Sequence, residues 1–289
     1  MALTKRSDLV IPEILVDAVQ GEFEGQNVLV GSGVAVMSNT LPMDKRGGDT
    51  VTVPYFGTLG EMEDIVNEGD ALTPESISMD ADTATVRHSG KAFEITEWAR
   101  MASLGDPYAE AGRQFRVINT RRVDKALIEV ANTGVPAEFT LDVSGIGSGK
   151  IDIDVIIDAT GLWGDQQDAI RLLAMHSKLY RDLMKLKDST GKQLMTTPTR
   201  AEPIPMFNGI PVVVSDKMKT FNDGAQKYEM LLMKEAALAY WWQAPPKVVT
   251  DYDALADTDL IAMHTYWAAH RYRRVRGSTK PGVIKITTK

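Results

Sequence analysis

The chain of 289 residues contains no cysteine. Disulfides, thiolate metal sites and a cysteine nucleophile are therefore excluded, and an intracellular place of synthesis is expected. Long hydrophobic runs are missing as well. Nowhere do about 18 apolar residues follow one another, as a membrane-spanning helix requires, and the opening MALTKRSDLVIPEI lacks the apolar core and small-residue cleavage site of a secretory leader. Histidine is scarce: His88, His176, His264 and His270 stand in no HExxH arrangement and beside no carboxylate at ligand spacing. His264 and His270 on one strand face would be about 20 Å apart at 3.3 Å per residue, too far for one metal ion. No cofactor or metal is expected, and no enzyme.

What is present is a globular composition, 44% hydrophobic, with enough length for one large or two ordinary domains. The net charge of -7 argues against a general nucleic-acid binder, but the charge is segregated. Residues 47–86 hold nine acids (Asp49, Glu61, Glu63, Asp64, Glu68, Asp70, Glu75, Asp80, Asp82) and no Lys or Arg. Residues 260–289 hold seven bases (Arg271, Arg273, Arg274, Arg276, Lys280, Lys285, Lys289) and no acid. Such blocks repel themselves and attract each other between chains, as complementary interfaces require; two separately solvated faces are the plainer alternative.

Periodicity places the elements. Residues 1–48 read as an extended arm with one short helix at 13–20. Val51, Val53 and Tyr55 alternate outward, and Ala84, Val86, Phe93 and Ile95 return, framing an acidic, turn-rich hairpin with little to bury. Asp106 and Pro107 open a helix of about 26 residues, roughly 40 Å long, which Gly134 closes. Its apolar positions are Tyr108, Ala111, Phe115, Ile118, Ala126 and Val130, and its other faces carry Arg113, Arg116, Arg121, Arg122 and Lys125. A second helix is expected after Asp165 and Asp168, with the stripe Leu172, Met175, Leu179, Leu183 and Leu186. Residues 209–215 read as a buried strand, 229–240 fit helix or strand, and 261–268 form a long strand with apolar groups on both faces.

Chemical motifs fail on inspection. The run Gly145-Ile146-Gly147-Ser148-Gly149-Lys150 has Ser144 where a phosphate loop needs its first glycine, and Ile151 where it needs Ser or Thr. It reads as a flexible connector between domains. Asp152 and Asp154, like Glu61 and Glu63, read as solvated strand residues. Tyr240-Trp241-Trp242 reads as core, with the prolines after Ala244 ending the element.

The order of these elements, and above all Leu186-Lys187-Asp188-Ser189-Thr190-Gly191-Lys192 followed by Gly209-Ile210-Pro211-Val212-Val213-Val214-Ser215, resembles the major capsid proteins of tailed bacteriophages. The resemblance implies an α+β fold of the Hong Kong 97 type: arm 1–48, extended hairpin loop 49–96, peripheral domain with spine helix 97–149, apical domain 150–245, and return strands with a basic C-terminal segment 246–289. It implies hexamers and pentamers closing an icosahedral shell around double-stranded DNA, each loop lying over its neighbour. The chain would be a virion component assembled in the bacterial host cytoplasm. Because the arm begins directly at Met1, a separate scaffolding protein or a longer precursor is expected; a portal and a decoration protein are further implied partners. The intersubunit contacts expected are Glu61, Glu63, Asp64, Glu68 and Asp70 with Arg113, Arg116, Arg121, Arg122, Arg271, Arg273 and Arg274. Pairing of the basic segment with a neighbour's loop is preferred to nonspecific DNA contact. An encapsulin-like compartment around a cargo enzyme is the alternative.

Overall fold

The computed structural model describes residues 28–38, 49–57, 59–60, 62–64, 71–102, 107–146, 149–167, 170–187, 191, 193, 195–196, 205–207, 209–275 and 279–289. The expected arm helix at 13–20, the caps Asp106 and Asp168, the turn at 188–190 and Arg276 lie outside these residues.

In chain order, α1 (Val28–Gly31) and β1 (Ala35–Ser38) precede a ribbon of β2 (Thr50–Phe56) and β3 (Met79–Thr85). Next come β4 (Arg87–Thr96), α2 (Glu97–Ala102) and the long helix α3 (Pro107–Asn132). The middle of the chain alternates: β5 (Thr140–Asp142), α4 (Ile153–Gly161), β6 (Ile170–Met175), α5 (Ser177–Met184), then β7 (Met195–Thr196), β8 (Met206–Phe207), β9 (Ile210–Val214) and β10 (Thr220–Asn222). Four long strands finish it: β11 (Gln226–Lys234), β12 (Leu238–Asp253), β13 (Thr258–Arg271) and β14 (Val283–Thr288). Among the described residues these make a four-stranded sheet, β1-β12-β13-β4, and an eight-stranded sheet along β5-β14-β11-β6-β9-β8-β7 with β10 on β11. The β2-β3 ribbon stands apart.

The eight-stranded sheet is buried on both faces, which is why its strands read as unbroken apolar runs. Along β6 and β11, Leu172, Ala174, Leu231 and Met233 face one core, shared with α3 and the four-stranded sheet. Leu173, Met175, Met230 and Leu232 face the other, beneath α4 and α5. A third, small cluster seats the ribbon: Val51 and Ala84 pack on Ala239, Trp241 and Ala268. Helix α3 has the bounds its sequence announces, and Gly134 takes φ +67°, the left-handed C-cap that glycine adopts without strain. Its buried stripe runs Ala111, Phe115, Asn119, Val123, Leu127 and Ala131, so Ile118 and Val130, expected on it, are only half-buried.

Several expectations are corrected. Phe93 and Ile95 do not return along the ribbon; they sit on β4, which pairs with β13, and the ribbon ends at Thr85. Leu172 and Met175 lie in strand β6, because the chain reaches the sheet before α5 starts, and His176 rather than an aspartate caps that helix by accepting from Lys178 N. The segment after Asp152 is helix α4, with Asp152 as its N-cap and Asp154 in its first turn, not strand. Residues 229–240 are two strands joined by a tight turn in which Ala236 has φ 53°. Trp241 and Trp242 are buried, but Pro245 and Pro246 do not end β12; register shifts on both sides of Ala244 absorb their missing N–H groups.

The Gly-Ser connector is also no slack joint in its described part. Gly149 is buried at φ +64°, its carbonyl accepts Lys289 N at 2.7 Å, and a Cβ there would meet Ser144 O at 2.7 Å. The end of the basic C-terminal segment is built into the sheet. Strand β14 runs inside the eight-stranded sheet between β5 and β11, and Lys285 approaches the buried Glu229 at 3.7 Å.

Candidate assembly interface

The ribbon extends from a root that the rest of the chain grips. Asp82 accepts Arg273 Nε at 2.9 Å; the Arg273 side chain also donates to the Tyr55 hydroxyl at 3.1 Å and lies over its ring. The Tyr55 hydroxyl in turn donates to Asp80 at 2.7 Å. That bond raises the phenol's pKa and lowers the Asp80 carboxyl's. Arg274 donates to Phe56 O at 3.3 Å. Two of the arginines expected to meet a neighbour's loop thus hold the root of their own.

Beyond the root few of the described residues are covered. Phe56, Leu59, Met62, Leu72, Ile77 and Met79 are exposed, an apolar fringe that no core claims. Of the five acids expected to make contacts, Glu61, Glu68 and Asp70 lie outside the described residues. Glu63 and Asp64 are exposed, and Glu63 accepts Thr73 N at 3.0 Å while Glu75 accepts Gly60 N at 2.9 Å. These two carboxylates brace the loop as well as charging it.

The α3 arginines divide. Arg113 is exposed and paired with Glu110, whose carboxyl its hydrogen bonds, with help from Gln114, hold at about 2. Arg116 is half-buried and Arg121 exposed, the latter's carbonyl accepting Lys217 Nζ at 3.2 Å. Arg122 stacks its guanidinium 4.6 Å from the Trp267 ring centre. Arg271 closes the helix: Nε and one NH2 group donate to Thr133 O and Gly134 O at 3.3 and 2.6 Å, where the helix dipole favours a cation.

Sequence reasoning missed other surface groups. Trp98 and Met101 on α2 and Tyr252 and Leu255 beside the β12–β13 turn are 84%, 76%, 54% and 100% exposed at one end of the four-stranded sheet. Glu97 N donates to Asp257 O and ties α2 to that turn. Their wide separation in sequence hid the patch. His88 and His264 also meet across β4 and β13, ring nitrogens 3.1 Å apart, with Tyr266 stacked on His88. Only the strand register brings them together. Among the described residues no three His, Asp or Glu side chains gather as a metal site.

Comparison with known proteins bears on this arrangement. The chain is 25% identical over 287 aligned residues to the major capsid protein of Bacillus phage SPP1, covering 93% of this chain and 86% of that one. Its fold is similar to the cyanophage Pam1 capsid, with a TM-score of 0.65 at 14% identity over 88% of each chain. The capsid of Ralstonia phage GP4 gives 0.63 at 13% identity, over 89% of this chain and 87% of that chain. Those likenesses establish the shell fold of the Hong Kong 97 type. Residues 46–268, from just before the ribbon through most of β13, match the phage capsid family, and the chain belongs to that family.

Proposed function

We propose that this chain is the repeating subunit of a tailed-phage head: hexamers and pentamers of it close an icosahedral shell around double-stranded DNA. The observation that carries this reading is the ribbon. Two strands alone do not bury enough surface to be stable, yet β2 and β3 carry exposed apolar and acidic residues among those described, a surface that a neighbouring copy would cover. Each tip lies over the next subunit, where Glu61, Glu63, Asp64, Glu68 and Asp70 meet the outward bases of α3, Arg121 and Lys125 foremost. The exposed Trp98, Met101, Tyr252 and Leu255 make a second contact between copies. The subunit's work is mechanical rather than catalytic. Assembly takes place in the host cytoplasm on a separate scaffolding protein, with a portal at one vertex and room for a decoration protein.

The test is expression with and without a candidate scaffold, followed by electron microscopy and sedimentation. Closed shells of uniform diameter are expected from the wild type. Reversal of Glu61, Glu63 and Asp64 to Lys is expected to abolish them while the subunit stays folded. Normal shell yield from that variant would remove the tip from the interface, and shells filled with an enzyme instead of DNA would make the particle a compartment.

A further inference from the structure

Between the ribbon root, the second half of α3 and the end of β13 lies a cleft of about 720 Å³. Trp267, Ala126 and Val130 supply apolar wall, and four guanidinium groups line it: Arg87, Arg271, Arg273 and Arg274. Two of these are neutralised, Arg87 by Glu129 at 3.2 Å and Arg273 by Asp82 at 2.9 Å. Arg271 and Arg274 have no carboxylate at ion-pair distance among the described residues; their partners are the main-chain carbonyls of Thr133, Gly134 and Phe56. One terminal nitrogen of Arg271, NH1, is buried without an acceptor among the described residues. A buried donor left unmade is costly, and one on a charged group more so. Burial lowers the Arg271 pKa; Asp82 opposes that, and the neighbouring Arg273 charge adds to it. Glu138, the remaining lining acid, is exposed and pairs with none of the four.

We propose that this cleft binds a small multivalent oxyanion of the phosphate class, held by the guanidinium groups of Arg271 and Arg274 that line it. Guanidinium forks match such oxygens in geometry and charge, and one oxyanion offsets the two cations that lack a carboxylate partner. Because the walls belong to ribbon, helix and sheet, an occupied cleft pins the ribbon to the body of the subunit.

The probe is pyrophosphate, titrated calorimetrically into the unassembled full-length chain at constant ionic strength, with citrate in parallel. Saturable binding of one pyrophosphate is expected, weakened at least tenfold in both Arg271→Gln and Arg274→Gln. The second variant guards against misfolding in the first, since among the described residues the hydrogen bond of the Arg274 side chain goes to Phe56 O alone. Bound pyrophosphate is also expected to slow hydrogen exchange at 50–56 in the wild type and not in Arg274→Gln. Absence of saturable binding, wild-type affinity in Arg274→Gln, or binding of citrate with no binding of pyrophosphate would each overturn the assignment.

Discussion

Replacing Asp82 with Lys tests how the ribbon is held. In the native root Asp82 is mostly covered, with 15% of its side chain exposed, while Arg273 is 59% exposed. A half-exposed pair of this kind contributes about 0.2–1 kcal/mol. Reversal does more than delete it, because a lysine is placed against Arg273 with Arg271 close by. Two like charges about 4 Å apart repel by about 4 kcal/mol at an effective dielectric of 20, which salt and a mobile lysine reduce to about 1–2. Against this stands the burial of Val51, fully covered, which contributes about 1.5–3 kcal/mol and does not depend on charge. The ribbon should therefore loosen without detaching, by about 2 kcal/mol, or roughly thirtyfold in its opening equilibrium. Hydrogen exchange read by mass spectrometry across 50–56 should accelerate by that factor in the unassembled subunit, with the midpoint of global unfolding barely moved. The swap Asp82→Arg with Arg273→Asp should recover most of the protection. Unchanged exchange in Asp82→Lys would refute the idea that this ion pair closes the root, and a large fall in global stability would show the ribbon to be part of the cooperative core.

Phe115→Ala should destabilise the subunit by about 3–5 kcal/mol in urea titration, whereas Arg113→Ala on the exposed face should stay within about 0.5 kcal/mol; equal effects would misplace the helix face. His270, packed between Trp241 and Tyr272 with Asp82, Arg271 and Arg273 around it, has its pKa lowered from 6.5, chiefly by burial. The unfolded chain then binds more protons just below pH 6.5, so this stability is present above that pH and lost as pH falls through the folded value. His270→Phe should flatten melting temperature against pH there, and an unchanged slope would assign it to another group. Gly149→Ala forces a side chain into a left-handed, crowded site and should cost at least about 1–2 kcal/mol by denaturant midpoint.

Much of this fold was legible because its signals are local. Helix α3 announces itself through Pro107, the spacing of Ala111, Phe115 and Ala126, and Gly134; β9 through its valine run. Legibility fails where partners are distant in sequence. Leu172 to Leu186 has helical spacing throughout, yet its first part is strand because β9 and β11 flank it on either side, a tertiary fact that overrides the pattern. Pro245 and Pro246 read as a break until the register shifts in β12 are seen. At the candidate interface the segregated charge was visible, but the contacts it makes within the chain were not. Arg273 is directed to Asp82 of the same chain, and Arg122 to Trp267, by the path of β13 past the ribbon and α3.

The pairing pattern also sets a timetable. Ala35 lies beside Leu238, Thr140 beside Lys285, and Arg87 beside Trp267, so neither large sheet is completed by neighbours in sequence. Loop-closure entropy must be met before those contacts form, which places such a topology among slow folders. While the ribosome is still at work, β1, β4 and β5 have emerged and their partner strands have not. The unpaired edges of a nascent chain are therefore exposed for the time it takes to make the later strands. For a subunit that associates with its own copies, the period of greatest risk of wrong association falls before the subunit is finished.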